Sequence, residues 1–202
     1  MTPAEIRLCF HHNHNRIRMK TQTTFFILFS IFIFGCSKKD QPTQPSVVST
    51  QDLLPRDKEI SNWSRSSADN ASWLAVNTTQ LQEKIDGGFE LFANHGFVEA
   101  AMQQFSGSVN GQPNIEMEVQ IYNQGSSANA DALFDDPNNV FANPIAPKNP
   151  PSAKAQITKD IFSYTMKFSK SKYYARLSVM SNDDKAQDVI EIFANNIASK
   201  MK

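Results

Sequence analysis

The most apolar stretch of the chain is a short run, Phe25–Phe34, in which only Ser30 is not hydrophobic. A helix needs about 20 apolar residues to cross a bilayer, whereas the apolar region of a secretory signal peptide has about 7–15. The run therefore fits a signal peptide, with Met19 and Lys20 as its start and its basic end. A buried strand is the alternative, but the polar, proline-containing segment that follows favours the signal peptide. Removal of such a signal peptide would define which residues remain in the mature chain.

The residues that end the run, Ile33-Phe34-Gly35-Cys36, resemble a bacterial lipobox, in which an aliphatic, a variable and a small residue precede the cysteine that receives lipid. We therefore predict cleavage of a signal peptide of residues 19–35 after Gly35, and lipidation of Cys36. The acyl chains would hold the protein at the membrane of the cell envelope. Ser37, rather than aspartate, follows the cysteine and favours the outer membrane in a cell that has two membranes.

Residues 1–18 precede this signal and would be lost with it. They are interpreted as an over-extended gene start or as a long basic region of the signal peptide. They do carry side chains that ligate metals, namely Cys9, His11, His12 and His14. Because these residues would be removed, we predict neither a metal site nor a cofactor in the mature chain.

The mature chain has few side chains suited to catalysis. After Cys36 no further cysteine follows, and His95 is the only histidine. Its 16 basic and 19 acidic residues are dispersed, so it lacks the basic surface that nucleic-acid binding requires. We therefore predict a non-catalytic module that binds an envelope protein or a small ligand. The alternative is an envelope hydrolase that uses carboxylates around Asp86 and Glu90.

The pattern beyond the signal predicts a polar tether, residues 36–51, and a single α+β domain, residues 52–202. Residues 97–105 and 115–122 are predicted to form one hairpin around an Asn110-Gly111 turn, and residues 161–168 and 173–180 a second one. In the strand 115–122, apolar and polar residues alternate, as in a sheet with one solvated face. We expect an antiparallel sheet of about 4–6 strands, with a short edge strand near residues 72–76.

Apolar residues at spacings of three and four predict about three helices packed against this sheet. The first begins at Thr79 and runs to His95, with Gly96 closing it. The second covers Ser127–Asp135, with Ala128, Ala132 and Leu133 facing inward. The third follows Ser181-Asn182, and its inward residues are Ala186, Val189, Ile190, Phe193 and Ile197. Residues 136–156 contain five prolines and are predicted to form a loop.

The first helix carries the tentative ligand or packing site, which consists of Asp86, Gly87, Gly88, Glu90 and His95. Two glycines inside a helix are costly. They indicate close packing of a neighbour, which we favour, or a break that exposes backbone groups to a ligand. Carboxylates with a histidine can perform acid–base chemistry, but at about 100° per residue His95 would lie about 140° around the helix from Glu90. We therefore favour a solvated helix face.

Several segments of the domain are similar to an uncharacterised bacterial family, domain of unknown function 6599. The segments are Leu53-Leu54-Pro55 with Ile60-x-x-Trp63, Leu81 to Leu91 including Ile85-Asp86-Gly87-Gly88, His95-Gly96-Phe97, Val119-x-Ile121-Tyr122 with Ala130, and Tyr173-Tyr174-Ala175-Arg176. The likeness spans most of residues 53–202. Phe89 and His95 depart from it, since that family favours a small and an aromatic residue there. The resemblance implies a secreted or lipid-anchored domain and supplies no activity.

Overall fold

A computed structural model of the chain describes residues 48–85 and 87–202. The predicted signal peptide, the cleavage position at Gly35 and the lipidation position Cys36 lie outside the described residues. Asp86 also lies outside them.

One antiparallel sheet organises the described part of the chain. Its eight strands are β1 (Ser64–Arg65), β2 (Ser72–Ala75), β3 (Glu99–Val109), β4 (Gln112–Asn123), β5 (Pro144–Ile145), β6 (Lys154–Lys159), β7 (Tyr164–Lys170) and β8 (Tyr173–Val179). The strand order is β1-β3-β4-β8-β7-β6-β5, and β2 also pairs with β3. Five helices accompany the sheet, α1 (Thr50–Leu53), α2 (Thr78–Lys84), α3 (Phe89–Asn94), α4 (Ser127–Asp135) and α5 (Lys185–Lys200).

The α+β class is confirmed, but the predicted sheet of 4–6 strands and the predicted three helices were too few. Two of the additional strands, β1 and β5, have two residues each and are too short to show a period of two. Strand β6 begins at Lys154, inside the range predicted as a proline-rich loop. Helix α1 begins at Thr50, inside the range predicted as a tether, where Thr50 N–H and the Ser49 and Thr50 hydroxyls all donate to Glu99 Oε1.

The central hairpin of β3 and β4 is confirmed. Asn110 and Gly111 both have positive φ, 49° and 79°, as a two-residue hairpin turn of the mirror-image type requires. The alternation in β4 is confirmed as well, because Met117, Val119 and Ile121 are fully buried while their neighbours Glu116 and Glu118 are exposed and half-exposed.

The buried face of β4 packs with β7, β8 and helix α5 to form the larger core. Helix α5 presents Phe193 to the sheet, where its ring meets Trp63 and Phe105 edge-on with centroid distances of 5.3 and 5.2 Å. The predicted inward face of this helix is confirmed, since Ala186, Ile190, Phe193 and Ile197 are buried and Val189 is half-buried.

The opposite face of the sheet carries a smaller core, covered by α2, α3 and α4. Phe92 of α3 stacks on Tyr122 of β4 with ring centroids 3.9 Å apart, and Tyr174 packs beside them. Burial raises the pKa of Tyr174 to about 12, so its hydroxyl stays protonated and donates to Asn139 Oδ1.

Helix α4 has the predicted bounds but a different inward face. Leu133 is buried as predicted, whereas Ala128 and Ala132 are exposed and Phe134 is buried instead. The reason lies in β7, whose fully buried Lys167 donates to the Phe134 carbonyl at the end of this helix and lies 4.6 Å from the Phe134 ring. A cation at a helix C-terminus is favourable, and this contact orients the last turn toward the sheet.

The second predicted hairpin is present, but its first strand starts later than predicted. Ile161 and Phe162 form a turn, and β7 begins at Tyr164. The loop 136–156 contains a 3-10 turn, Pro137–Asn139, as well as β5.

The helix predicted from Thr79 to His95 is in fact two helices. Asn77 caps α2 by accepting from Gln80 N–H, and α2 ends at Lys84. Gly87 then takes a φ of +71°, and a Cβ built on Gly87 or Gly88 would meet nothing within 4 Å. The packing explanation for this pair is therefore wrong. The glycines break the helix, which is the alternative explanation given for this pair in the sequence analysis.

Replacing Gly87 by alanine tests this break. We expect the free energy of unfolding to fall by about 1 kcal/mol, because positive φ is strained for a residue with a Cβ. Gly88→Ala is the matched control and should cost less, since Gly88 has a φ of −125° and open space around it. Urea unfolding of both variants measures the difference. Equal costs at the two positions would contradict the assignment.

Glu59 makes part of the stability depend on pH. Burial pushes its pKa upward, but hydrogen bonds from Arg56 N–H, Asn196 and Lys200 outweigh this and lower the pKa to about 2. A carboxyl group whose pKa is lower in the folded state stabilises the fold at pH values above its pKa in the unfolded chain, which is about 4.3. This contribution is lost as the pH falls toward 2.

We therefore expect Glu59→Gln to reduce the free energy of unfolding by about 1 kcal/mol at neutral pH, after allowance for solvent screening. The difference from the parent chain should shrink as urea unfolding is repeated at falling pH between about 5 and 2. Glu83→Gln, at an exposed position of α2, is the control and should show no such trend. A difference for Glu59→Gln that is constant over this range would rule out the linkage.

Candidate functional site

A surface depression of 390 Å³ lies beside α3 and the end of α4. Four of the five residues of the tentative site line it, namely Gly87, Gly88, Glu90 and His95. The remaining described lining residues are Leu91, Asn94, Asp136 and Asn138. We call this feature the His95 depression.

The break at Gly87 and the end of α3 place these side chains. Helix α3 is only six residues long, and His95 follows it as the C-cap with non-helical φ and ψ. Gly96 comes next with a φ of +79°, and a Cβ there would lie 2.3 Å from Asn129 Nδ2. The prediction that Gly96 closes the helix is confirmed, and the sharp turn leaves His95 at the rim of the depression.

The central contact of the site joins His95 and Asp136. Their side chains are 19% and 18% exposed, and His95 Nε2 lies 2.8 Å from Asp136 Oδ2. The hydrogen bond from His95 lowers the pKa of Asp136, and the backbone N–H of Asn138, which donates to Asp136 Oδ1, adds to the effect. Asp136 is thus held as a carboxylate that accepts a hydrogen bond from Nε2, so this ring nitrogen carries a proton.

With Nε2 engaged, His95 Nδ1 is the nitrogen left for a ligand. Within residues 48–85 and 87–202, Nε2 is the only atom of this ring that forms a hydrogen bond. An imidazole whose tautomer is fixed by a carboxylate offers an acceptor at its second nitrogen. The arrangement can therefore accept a hydrogen bond or a proton from a molecule in the depression.

The structure corrects two interpretations of this region. Asp136 lies at the start of the segment that was predicted only as a proline-rich loop, but it is the partner of His95. Glu90 and His95 had been placed on different sides of one long helix, yet both line the same depression, because α3 ends before His95. No sequence signal points to Asp136, since 41 residues separate it from His95.

The described lining residues of the His95 depression are mainly polar. None of them carries a hydroxyl, thiol or amine, and they supply two carboxylates, two carboxamides and one imidazole. Within the described part of the chain, no group of three or more histidine, cysteine, aspartate or glutamate side chains is placed to hold a metal ion.

Comparison of the chain with family models, curated proteins and solved structures produced no match. The resemblance to the uncharacterised family therefore stays a prediction. Among the residues that the structure describes, no helix is both long and apolar enough to cross a membrane.

Proposed function

We propose that the chain is a lipid-anchored protein of the cell envelope that binds a small polar ligand in the His95 depression without transforming it. The sequence that ends in Gly35-Cys36 supports the anchor. The first described element begins at Thr50, so the polar residues between Cys36 and the domain would act as the tether.

The observation that carries the binding role is the convergence of Glu90 and the His95–Asp136 pair in one depression, although the two acids lie far apart in sequence. Its volume lies within the range of small-molecule sites, about 300–1,000 Å³. Asn94 and Asn138 add groups that both donate and accept hydrogen bonds.

The charges of the lining indicate the class of ligand. Two carboxylates and only one imidazole line the site, so an anion would be repelled. Carboxylates and carboxamides accept hydrogen bonds from hydroxyl and ammonium groups. A neutral polyhydroxylated molecule or a small organic cation therefore fits the site better than a phosphate or a carboxylate.

Binding can be tested on the full chain that carries Cys36→Ser, which removes the lipid. Neutral mono- and disaccharides, polyamines and free amino acids serve as probes. We expect one class to shift the imidazole NMR signal of His95 saturably, with the signal assigned by its loss in His95→Gln. Asp136→Asn should weaken binding, since it leaves the imidazole unoriented. If no probe shifts the signal, the binding proposal fails.

The anchor has a separate test. Mass spectrometry of the membrane fraction should find an N-terminal peptide that starts at an acylated Cys36. Cys36→Ser should move the protein to the soluble fraction. A mature protein that retains His11 would contradict the anchor.

A hydrolase is the second candidate, because Glu90 lies in the same depression as an oriented histidine, and such groups can perform acid–base catalysis. The same titration separates the two functions. Conversion of a probe to product, abolished by Glu90→Gln, would favour the hydrolase. An unchanged probe that binds saturably would favour the binding module.

A further inference from the structure

The turn between β6 and β7 exposes two large apolar side chains at its apex. Ile161 is 71% exposed and Phe162 is 74% exposed. Tight turns are usually occupied by glycine, asparagine, aspartate or proline. Met180, which follows β8 at the same end of the sheet, is 53% exposed. We call these three residues the Phe162 tip.

The tip is held by hydrogen bonds on both sides. Asp160 N–H donates to the Ser163 carbonyl across the turn, and Asn182 Nδ2 donates to the Ile161 carbonyl at 2.9 Å. Met180 N–H donates to the Glu116 carbonyl. Hydrogen bonds therefore fix the backbone that carries the apolar side chains, and binding would cost little conformational entropy of this backbone.

Charged residues that border the tip are mainly acidic. They are Glu116, Asp160, Asp183 and Asp184 against Lys159 and Lys185, which lie beside the tip along the chain or through the Met180–Glu116 and Asn182–Ile161 hydrogen bonds. Lys159 Nζ lies 2.7 Å from Asp184 Oδ1 and neutralises one of the acids. The tip is thus an apolar centre with an acidic border.

This border argues against a membrane surface as the occupant, since anionic headgroups repel acidic residues and attract basic ones. A protein surface that carries lysine or arginine would instead be attracted by the same border.

We propose that the Phe162 tip is a docking surface for a second envelope protein, one that offers an apolar pocket bordered by lysine or arginine. The apolar centre would supply the buried anchor of the interface and the acidic border its electrostatic match. The envelope location of the partner rests on the lipid anchor of the proposed function, whereas the docking surface itself does not depend on the His95 depression.

Site-specific cross-linking in cells that make the chain naturally tests this proposal. The full chain carries the photoreactive residue p-benzoylphenylalanine in place of Phe162. We expect one discrete adduct with another protein. The same residue in place of Ile192, which is 55% exposed on α5, is the matched control and should give none. Glu116→Lys, which reverses an exposed border charge, should reduce the adduct by about threefold or more.

The protein identified in the adduct is then purified and its affinity for the full chain is measured. Phe162→Ser should weaken binding about tenfold or more, with an unchanged unfolding midpoint as evidence that the variant folds. His95→Gln should leave this affinity intact, which separates the docking surface from the ligand site. An adduct with lipid or with a second copy, an equal adduct from position 192, insensitivity to Glu116→Lys, or no adduct would each overturn the proposal.

Discussion

Replacing Phe193 by alanine is expected to lower the free energy of unfolding by about 3–5 kcal/mol. The side chain is fully buried between α5 and the sheet, where Trp63 and Phe105 both contact its ring edge-on. Such ring pairs add stabilisation beyond the burial of area. The rigid strands beneath the ring cannot collapse into the space that its removal leaves.

Urea unfolding followed by tryptophan fluorescence suits this measurement, since Trp63 lies against the ring. Phe162→Ala is the matched control, because the same substitution at a residue that is 74% exposed should change stability by less than about 0.5 kcal/mol. Similar losses for the two variants would show that Phe193 does not contribute to the core as described.

The second large effect is expected at Glu191, a residue that is only 2% exposed. Its Oε1 accepts from the Lys148 backbone N–H at 2.8 Å and from Gln187 Nε2 at 3.0 Å, and its Oε2 accepts from the Asn149 backbone N–H at 2.8 Å. These bonds fasten the proline-rich segment to α5. Glu191→Ala would leave their donors without an acceptor, and we expect a loss of about 2–4 kcal/mol.

Limited proteolysis should detect the release of this segment, with new cleavage in residues 140–152 of Glu191→Ala. Asp188→Ala is the control, because Asp188 lies one turn earlier on α5 and binds the exposed Lys148 ammonium at 2.7 Å. An exposed ion pair contributes about 0–1 kcal/mol, so Asp188→Ala should keep the segment protected. Equal cleavage of both variants would mean that Glu191 does not hold it.

The sequence by itself determined the parts of the fold that depend on local rules. A period of two in β4, an Asn-Gly pair at the β3–β4 turn and apolar spacings of three and four in α5 each reflect backbone geometry that extends over a few residues. The Gly87-Gly88 pair was also recognised as a special position. Its interpretation required the structure, since a close neighbour and a helix break have the same local signature.

Tertiary structure alone decided which distant side chains meet. Lys167 and Glu191 are charged residues in amphipathic patterns. Lys167 is buried against the Phe134 carbonyl at the end of α4, and Glu191 against backbone N–H groups of the segment between α4 and β6. The His95–Asp136 pair likewise joins the end of α3 to the end of α4 across 41 residues. The periodicity of the sequence indicates which face of an element is apolar, but it does not indicate which other element packs against that face. The residues of the candidate site come together only through this packing.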